Sequence, residues 1–230
     1  MPVKLPSAEF CHSVYSERIA LYETLFGPAP EGVVELKDLS DANWPGGCLV
    51  QFEKGSELIR DGLCVCATFG LTNADMPARV AVAKAKKVKL IPKVPAFAPD
   101  GYAGYGYEMM VLTPSKEDWP LLFLDWLVRA EIESDAQVFQ KVRENDGITI
   151  GLVTLKDIGD FYFLITRSWG HQENKFPLPN GDMEFLCATS ITGPEMEYAS
   201  GTGNGRIELL NKLIKNGLGQ VSILDRQSVV

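Results

Sequence analysis

Histidine is scarce in this chain of 230 residues, which has only His12 and His171 to serve as an imidazole base or metal ligand. No Gly-x-Ser-x-Gly motif marks a nucleophile, and the glycine-rich stretch 201–205 lacks the Lys-Ser/Thr pair of a phosphate-binding loop. A connection between two helices explains that stretch better. We therefore predict no catalytic residue and no cofactor. The alternative is a small hydrolase or metal-dependent enzyme in which His171 works with a cysteine or a carboxylate.

Cysteines are few and unevenly placed: the chain has five, scattered among apolar neighbours. An odd, scattered set does not form a disulfide framework and is typical of reduced thiols in the cytoplasm. Cys64 and Cys66 lie two apart, so on a strand they would share one face and could share a metal ion. No Cys-x-x-Cys motif or histidine pair supplies further ligands. We predict buried thiols and no metal site.

Long apolar runs are also missing. No segment approaches the roughly 20 apolar residues that cross a bilayer, and the N-terminus has no apolar signal core. Basic residues are outnumbered, with 22 Lys and Arg against 30 Asp and Glu, for a net charge of −8. This balance disfavours nucleic acid, whose binding requires Lys and Arg to neutralise phosphates. We expect a soluble, cytoplasmic protein with no membrane or nucleic-acid partner, and complementary charge favours a basic protein partner.

The residues that are present predict an α+β fold in a single domain spanning residues 1–230. Hydrophobic residues make up 46% of the chain, enough for a substantial core. Strand-like segments outnumber helical ones and do not alternate with them, which favours a mixed, largely antiparallel β-sheet packed with helices. The predicted strands are 33–36, 48–52, 63–71, 79–91, 107–112, 148–155, 161–166 and 184–192, and the predicted helices are 7–26, 118–128, 195–200 and 204–217.

One predicted strand, 79–91, carries Lys84, Lys86, Lys87 and Lys89. Lysines on a strand are typical of a solvated sheet edge. A third functional alternative follows from this prediction, in which the segment pairs with another copy of the chain and the domain is structural or oligomerising.

Residues 100–114 form the segment with the strongest functional pattern. Asp100 and three tyrosines, Tyr102, Tyr105 and Tyr107, are separated by glycines before an apolar strand begins. Glycines permit positive φ angles and close approach of another chain, while tyrosines offer stiff apolar faces that end in a hydroxyl. This combination suits recognition better than chemistry, although packing alone would also explain it.

The same residues carry a family resemblance. Residues 100–108, DGYAGYGYE, resemble the D-G-x-x-G-[FWY]-G-[FY]-E segment of Suppressor of fused proteins, and residues 69–72, FGLT, resemble their F-G-L-[ST] strand. The resemblance begins near Ser16. Four further segments match in the same order: residues 119–128, 191–195, 207–210 and 225–229.

The resemblance implies a globular, non-enzymatic, protein-binding domain. In eukaryotic relatives the aspartate of this loop contacts an extended peptide segment, and that role falls here on Asp100, with Gly101, Tyr102 and Tyr105 around it. The tyrosine that follows F-G-L-[ST] in those relatives falls near Asp75. Stand-alone relatives of this length look bacterial. The resemblance to them implies a role as an immunity protein, with a toxin domain as partner.

Overall fold

A computed structural model of the chain describes residues 3–28, 33–36, 39, 43–53, 62–89, 100–168 and 174–230. In chain order, its strands are β1 (Val33–Val34), β2 (Cys48–Phe52), β3 (Cys64–Phe69), β4 (Tyr102–Thr113), β5 (Ile148–Leu155), β6 (Gly159–Arg167), β7 (Phe176–Leu178) and β8 (Gly181–Ile191). Its helices are α1 (Ala8–Phe26), α2 (Ala78–Val88), α3 (Trp119–Ser134), α4 (Val138–Glu144), α5 (Gly193–Gly201) and α6 (Gly205–Lys215).

The strands form one open sheet in the order β1-β2-β3-β4-β8-β6-β5, and β7 pairs with the beginning of β8. Only the central β4–β8 pair is parallel among the strand pairs described, and the others are antiparallel. All six residues of β3 are buried, as expected for an interior strand with an apolar run on both faces. The predicted α+β fold with a mixed, largely antiparallel sheet is therefore confirmed.

Helices cover both faces of this sheet. Helix α1 begins at the Ser7 cap, whose side chain accepts a hydrogen bond from the Phe10 N–H, and it buries Tyr22 and Phe26 against Phe185 of β8. On the opposite face, Phe123 of α3 packs against Phe163 of β6, with 4.0 Å between the ring centroids. Helices α5 and α6 bury a smaller cluster against β6. Within the described residues, no helix combines the length and the apolar character needed to cross a membrane.

The lysine-rich segment 79–91 contradicts its prediction as a strand, because residues Ala78–Val88 form helix α2. Alternating valine and alanine suggested a period of two, but alanine and lysine are strong helix formers. The helix buries Val80 and Ala85, and Lys84 pairs with Asp135 at the end of α3. No edge strand carries these lysines, so the pairing between copies that depended on it loses its basis.

Other differences concern short or polar elements. Helix α4 and strand β7 were not predicted, since α4 has only seven residues and β7 contains Pro177. The apolar residues of the predicted helix 204–217 suggest a buried stripe of Ile207, Leu210, Leu213 and Ile214, but of these α6 buries only Leu213, together with Leu209. The apolar run 121–128 suggests a helix buried all round, but Leu122 and Trp126 of α3 are exposed. Residues 201–205 connect α5 to α6, as predicted.

Candidate functional site

The turn that precedes β4 presents Asp100 and Gly101 to solvent. Its backbone is fixed by β8, because the N–H of Asp182 donates a hydrogen bond to the Gly101 carbonyl oxygen at 2.9 Å. The Asp100 carboxylate makes no hydrogen bond or ion pair with the described part of the chain. An exposed, uncompensated charge on a fixed turn is available to a partner at little cost in conformational entropy.

Tyr102, the first residue of β4, is half-buried and held on several sides. Its hydroxyl donates a hydrogen bond to Glu184 Oε1 at 3.0 Å, and Arg167 Nε donates to the other oxygen of that carboxylate at 2.7 Å. The ring of Phe139 meets the Tyr102 ring edge-on, with 5.0 Å between centroids. The tyrosine is thereby locked in one orientation, which preorganises it for contact.

Two cations flank the same ring. Lys175 Nζ lies 4.9 Å and Arg143 Cζ lies 5.0 Å from the Tyr102 ring centroid, within the range of cation–π attraction. Lys175 also forms an ion pair with Asp182, and this hydrogen bond raises the pKa of the ammonium group, so Lys175 stays charged. The Tyr102 ring, two residues after Asp100, is therefore surrounded by a compact set of positive and negative side chains.

Glycines in β4 allow the strand to pack closely against the loop that contains Leu71 and against Phe139 of α4. Gly104 has φ +55°, and a Cβ atom there would lie 2.3 Å from the Leu71 carbonyl oxygen. That oxygen accepts a hydrogen bond from the Tyr105 N–H at 3.0 Å. Gly106 has φ +89°, and a Cβ atom would lie 2.7 Å from ring atoms of Phe139. The glycine spacing seen in the sequence thus serves the close approach of two neighbouring segments.

Tyr105 and Asp75, two of the predicted site residues, lie beneath the surface. Tyr105 is 4% exposed and its burial raises the pKa of its hydroxyl well above the usual range. Asp75 is 5% exposed and forms an ion pair with Arg79 of α2. The structure therefore places Asp100, Gly101 and Tyr102 together at the surface, whereas Tyr105 and Asp75 are buried.

A buried polar network holds the loop on which Gly104 packs. Glu108 of β4 accepts hydrogen bonds from Gly70 N and Thr72 N, both at 2.9 Å, and from the Thr72 hydroxyl at 2.6 Å. Arg18 of α1 donates to the same hydroxyl at 3.2 Å, with 4.0 Å between Arg18 Nη1 and Glu108 Oε1. The Thr72 carbonyl oxygen in turn accepts from Asn180 Nδ2 at 3.0 Å. Helix α1, strand β4 and the β7–β8 turn therefore all form hydrogen bonds with the loop 70–72.

The thiols are poorly suited to nucleophilic chemistry. Burial raises the pKa of all five, to about 11 for Cys48 and about 12 for Cys66 and Cys187, whereas a reactive cysteine needs a lowered pKa. Cys64 donates to the Glu53 carbonyl oxygen at 3.3 Å, and Cys66 accepts from Gln51 at 3.2 Å. His171, on which the hydrolase alternative depends, lies outside the described residues. Within those residues, no three His, Cys, Asp or Glu side chains form a cluster that could hold a metal ion.

Comparison with known families identifies the family of the chain. The sequence profile of the Suppressor of fused protein family matches residues 55–227, which include both the Asp100 turn and the loop beneath it. The chain belongs to the Suppressor of fused family. No curated protein sequence gives a significant match to the chain.

Solved Suppressor of fused structures share the fold. A crystal structure of the Sufu–Fu complex aligns with a TM-score of 0.63 at 14% identity, covering 98% of this chain and 93% of that one. The homologue from Neisseria gonorrhoeae aligns with a TM-score of 0.57 at 15% identity, covering 97% and 98%. Drosophila Suppressor of fused aligns with a TM-score of 0.64 at 16% identity, and this chain spans 52% of its length. At these identities the likeness establishes the fold.

Several residues of the site escaped the sequence reasoning. Arg143, Lys175 and Glu184 surround Tyr102 but come from α4, the segment before β7, and β8. Only Glu184 left a signal in the sequence, because it is the carboxylate directly before the apolar run of β8. Arg143 and Lys175 belong to polar segments that no pattern distinguishes.

Proposed function

We propose that this Suppressor of fused domain is a non-enzymatic protein-binding module whose contact surface centres on Asp100, Gly101 and Tyr102. The observation that carries the proposal is the Asp100 turn itself. The exposed Asp100 carboxylate makes no hydrogen bond or ion pair with the described residues, and Tyr102, two positions further on, is fixed by Glu184 and flanked by cations. Aromatic and charged side chains fixed before binding are typical of interface hot spots. Tyr105 and Asp75 belong to the proposed site as buried residues and not as contact residues.

The partner is a protein with a basic contact surface. It is either a toxin domain that this chain neutralises or an extended peptide segment. The net charge of −8 supports a basic partner, because opposite net charges speed encounter. The resemblance to stand-alone bacterial relatives supports an immunity role. One solved relative is a complex of Sufu with Fu, so protein binding occurs in a protein of the same fold.

The setting we propose is a reducing cytoplasm, with residues 1–230 acting as one domain. Five free cysteines whose thiol pKa values are raised by burial are stable in reduced form there. Alignment over 93% and 98% of two solved relatives supports a single functional unit.

The test compares binding by three forms of the protein: wild type, Asp100→Lys and Glu197→Lys. Glu197 is an exposed carboxylate on α5, so its variant carries the same net charge and serves as the matched control. The partner is first sought as the product of the neighbouring gene, and affinity is measured by calorimetry. We expect Asp100→Lys to weaken binding by at least about tenfold and the control to leave it unchanged. Equal affinity of Asp100→Lys and wild type would reject the site.

The immunity role has its own test. Co-expression of this chain with the neighbouring gene product in a bacterial host should restore growth if that product is toxic, and Asp100→Lys should restore it less well. If the neighbouring gene product binds this chain but has no effect on growth, the protein-binding proposal stands and the immunity role is rejected.

A further inference from the structure

A concave surface separate from the Asp100 turn lies on the α1 face of the sheet, between α1, the edge strand β1 and its neighbour β2. It is a cavity of about 500 Å³, within the range of ligand-binding clefts. Tyr15, Ile19 and Tyr22 form the α1 wall, and Val50, Phe52 and Phe69 form part of the floor. None of the residues that surround Tyr102 and Asp100 lines this cavity, so the two surfaces are separate.

The floor and walls are apolar and rigid. Tyr22 and Phe69 meet edge to face at 5.1 Å between centroids, and the Tyr22 hydroxyl is already bound to the Thr68 carbonyl oxygen. Tyr15 contacts Phe69 at 5.3 Å and remains exposed. Tyr15 therefore offers the exposed aromatic surface, supported by the buried rings of Tyr22 and Phe69, and the Tyr22 hydroxyl is not free to select a polar ligand.

Two carboxylates complete the lining, Glu23 of α1 and Glu35 after β1. Both are exposed, and neither pairs with a cation in the described part of the chain. Among the described residues that line the cavity there is no lysine or arginine. An apolar cleft with two uncompensated negative charges attracts a cation on an apolar stem, which is the chemistry of Lys and Arg side chains.

The rim also offers backbone. Strand β1 pairs with β2 on one side, and its other edge pairs with no strand among the described residues. Val33 is 50% exposed and points to the same face as Val50, its partner in β2. An extended segment can add to such an edge through main-chain hydrogen bonds while its alternate side chains enter the adjoining cleft.

From these features we infer that the cavity between α1 and β1–β2 is a second docking site, which takes an extended segment of a partner protein carrying Lys or Arg between apolar residues. The basic side chain pairs with Glu23 and Glu35, and its apolar neighbours cover Tyr15, Ile19 and Val33. A second copy of this chain is disfavoured as occupant, since each copy carries a net charge of −8.

The experiment uses three fluorescein-labelled synthetic peptides as probes: one alternating Lys with Phe and Leu, one with Glu in place of every Lys, and one with Ser in place of every apolar residue. Fluorescence polarisation measures their binding to wild type, to Glu23→Lys/Glu35→Lys, and to the control Glu17→Lys/Glu197→Lys. The control changes exposed carboxylates outside the cavity and has the same net charge. Circular dichroism verifies that the variants fold.

We expect the Lys-Phe-Leu peptide to bind wild type and control equally, to bind the cavity variant at least about tenfold more weakly, and to bind better than both other peptides. Methyl resonances of Ile19, Val33 and Val50 should shift on binding, and Asp100→Lys should not change the affinity. Equal losses in the cavity variant and the control, or tight binding of the acidic peptide, would overturn the proposal.

Two further outcomes would replace the proposed occupant. Saturable binding of n-butylammonium at the same methyl groups, as tight as that of the peptide, would make the cavity a small-cation site. A dimer in sedimentation that the cavity variant abolishes would make it an interface between copies of this chain.

Discussion

Replacing Arg18 with methionine should lower the free energy of unfolding by about 3 kcal/mol, because it removes one partner of a buried ion pair. Both Arg18 and Glu108 have side chains that are 0% exposed. Methionine retains much of the apolar stem that packs on Phe69, over which the guanidinium carbon lies at 4.1 Å. The Glu108 carboxylate keeps its bonds from the loop 70–72, so this variant should lie at the low end of the range of about 3–5 kcal/mol.

Glu108→Gln should cost more, about 5 kcal/mol. It leaves the Arg18 guanidinium buried without a carboxylate, and it turns an amide N–H₂ towards groups that donate hydrogen bonds to Glu108, among them Gly70 N and Thr72 N. In the double variant neither a buried cation nor a buried anion remains. Its loss should therefore fall short of the sum of the two single losses by about 1–3 kcal/mol.

Urea unfolding followed by circular dichroism measures all three losses. Lys116→Met is the matched control, because Lys116 forms an ion pair with Glu53 at 2.6 Å but its side chain is 58% exposed. We expect no measurable change in the urea midpoint for this control, since an exposed pair is well screened. Losses that simply add in the double variant, or an Arg18→Met midpoint equal to that of the control, would refute the coupling through Thr72.

Two further predictions concern the support of the site and the C-terminal segment. Gly104→Ala should destabilise the protein by about 1–3 kcal/mol and weaken partner binding, because φ is +55° and the new methyl group would meet the Leu71 carbonyl oxygen at 2.3 Å. Thermal melts check this against Gly201→Ala, which has nothing within 4 Å of its Cβ position and should be neutral. Glu195 should make stability depend on pH: burial alone would raise its pKa, but two hydrogen bonds from Arg226 at 2.6 Å and backbone N–H donors lower it below 4.5. Its contribution is complete above pH 4.5 and is lost as pH falls through the lowered pKa, so the stability difference between wild type and Glu195→Gln should shrink from ~pH 7 to ~pH 3 in urea unfolding. A difference that stays constant over this range would contradict the assignment.

Elements with a clear period or a clear cap were predicted well. Strands 48–52 and 148–155 have the bounds that the sequence indicated, and helix α1 ends at Phe26 before the Gly27 stop. The failure at Ala78–Val88 has a physical cause, because the alternation of Val and Ala fits a strand while the Ala and Lys content favours a helix. Packing of Val80 and Ala85 against the core decides between them, and such packing is not visible in a local pattern.

In the candidate site, too, the sequence indicated only what local patterns can show. Glycine and tyrosine spacing identified the turn at Asp100, since positive φ angles and aromatic faces are local properties of these residues. The groups that fix Tyr102 come from positions far along the chain, 41 residues away for Arg143 and 82 for Glu184. Neither a period nor a cap connects such positions, so only the folded arrangement brings them together.

The two sequence motifs that mark the family form one structural unit. Glu108, the last residue of the first motif, accepts hydrogen bonds from Gly70 and Thr72 of the second, and Gly104 packs on Leu71. A hydroxyl residue is needed after Phe-Gly-Leu because the Thr72 hydroxyl accepts from Arg18 and donates to Glu108. The motifs therefore describe the scaffold beneath the turn. Within the described residues, the Asp100 side chain makes no hydrogen bond or ion pair with that scaffold, so the Asp100→Lys variant should test recognition without disturbing the fold.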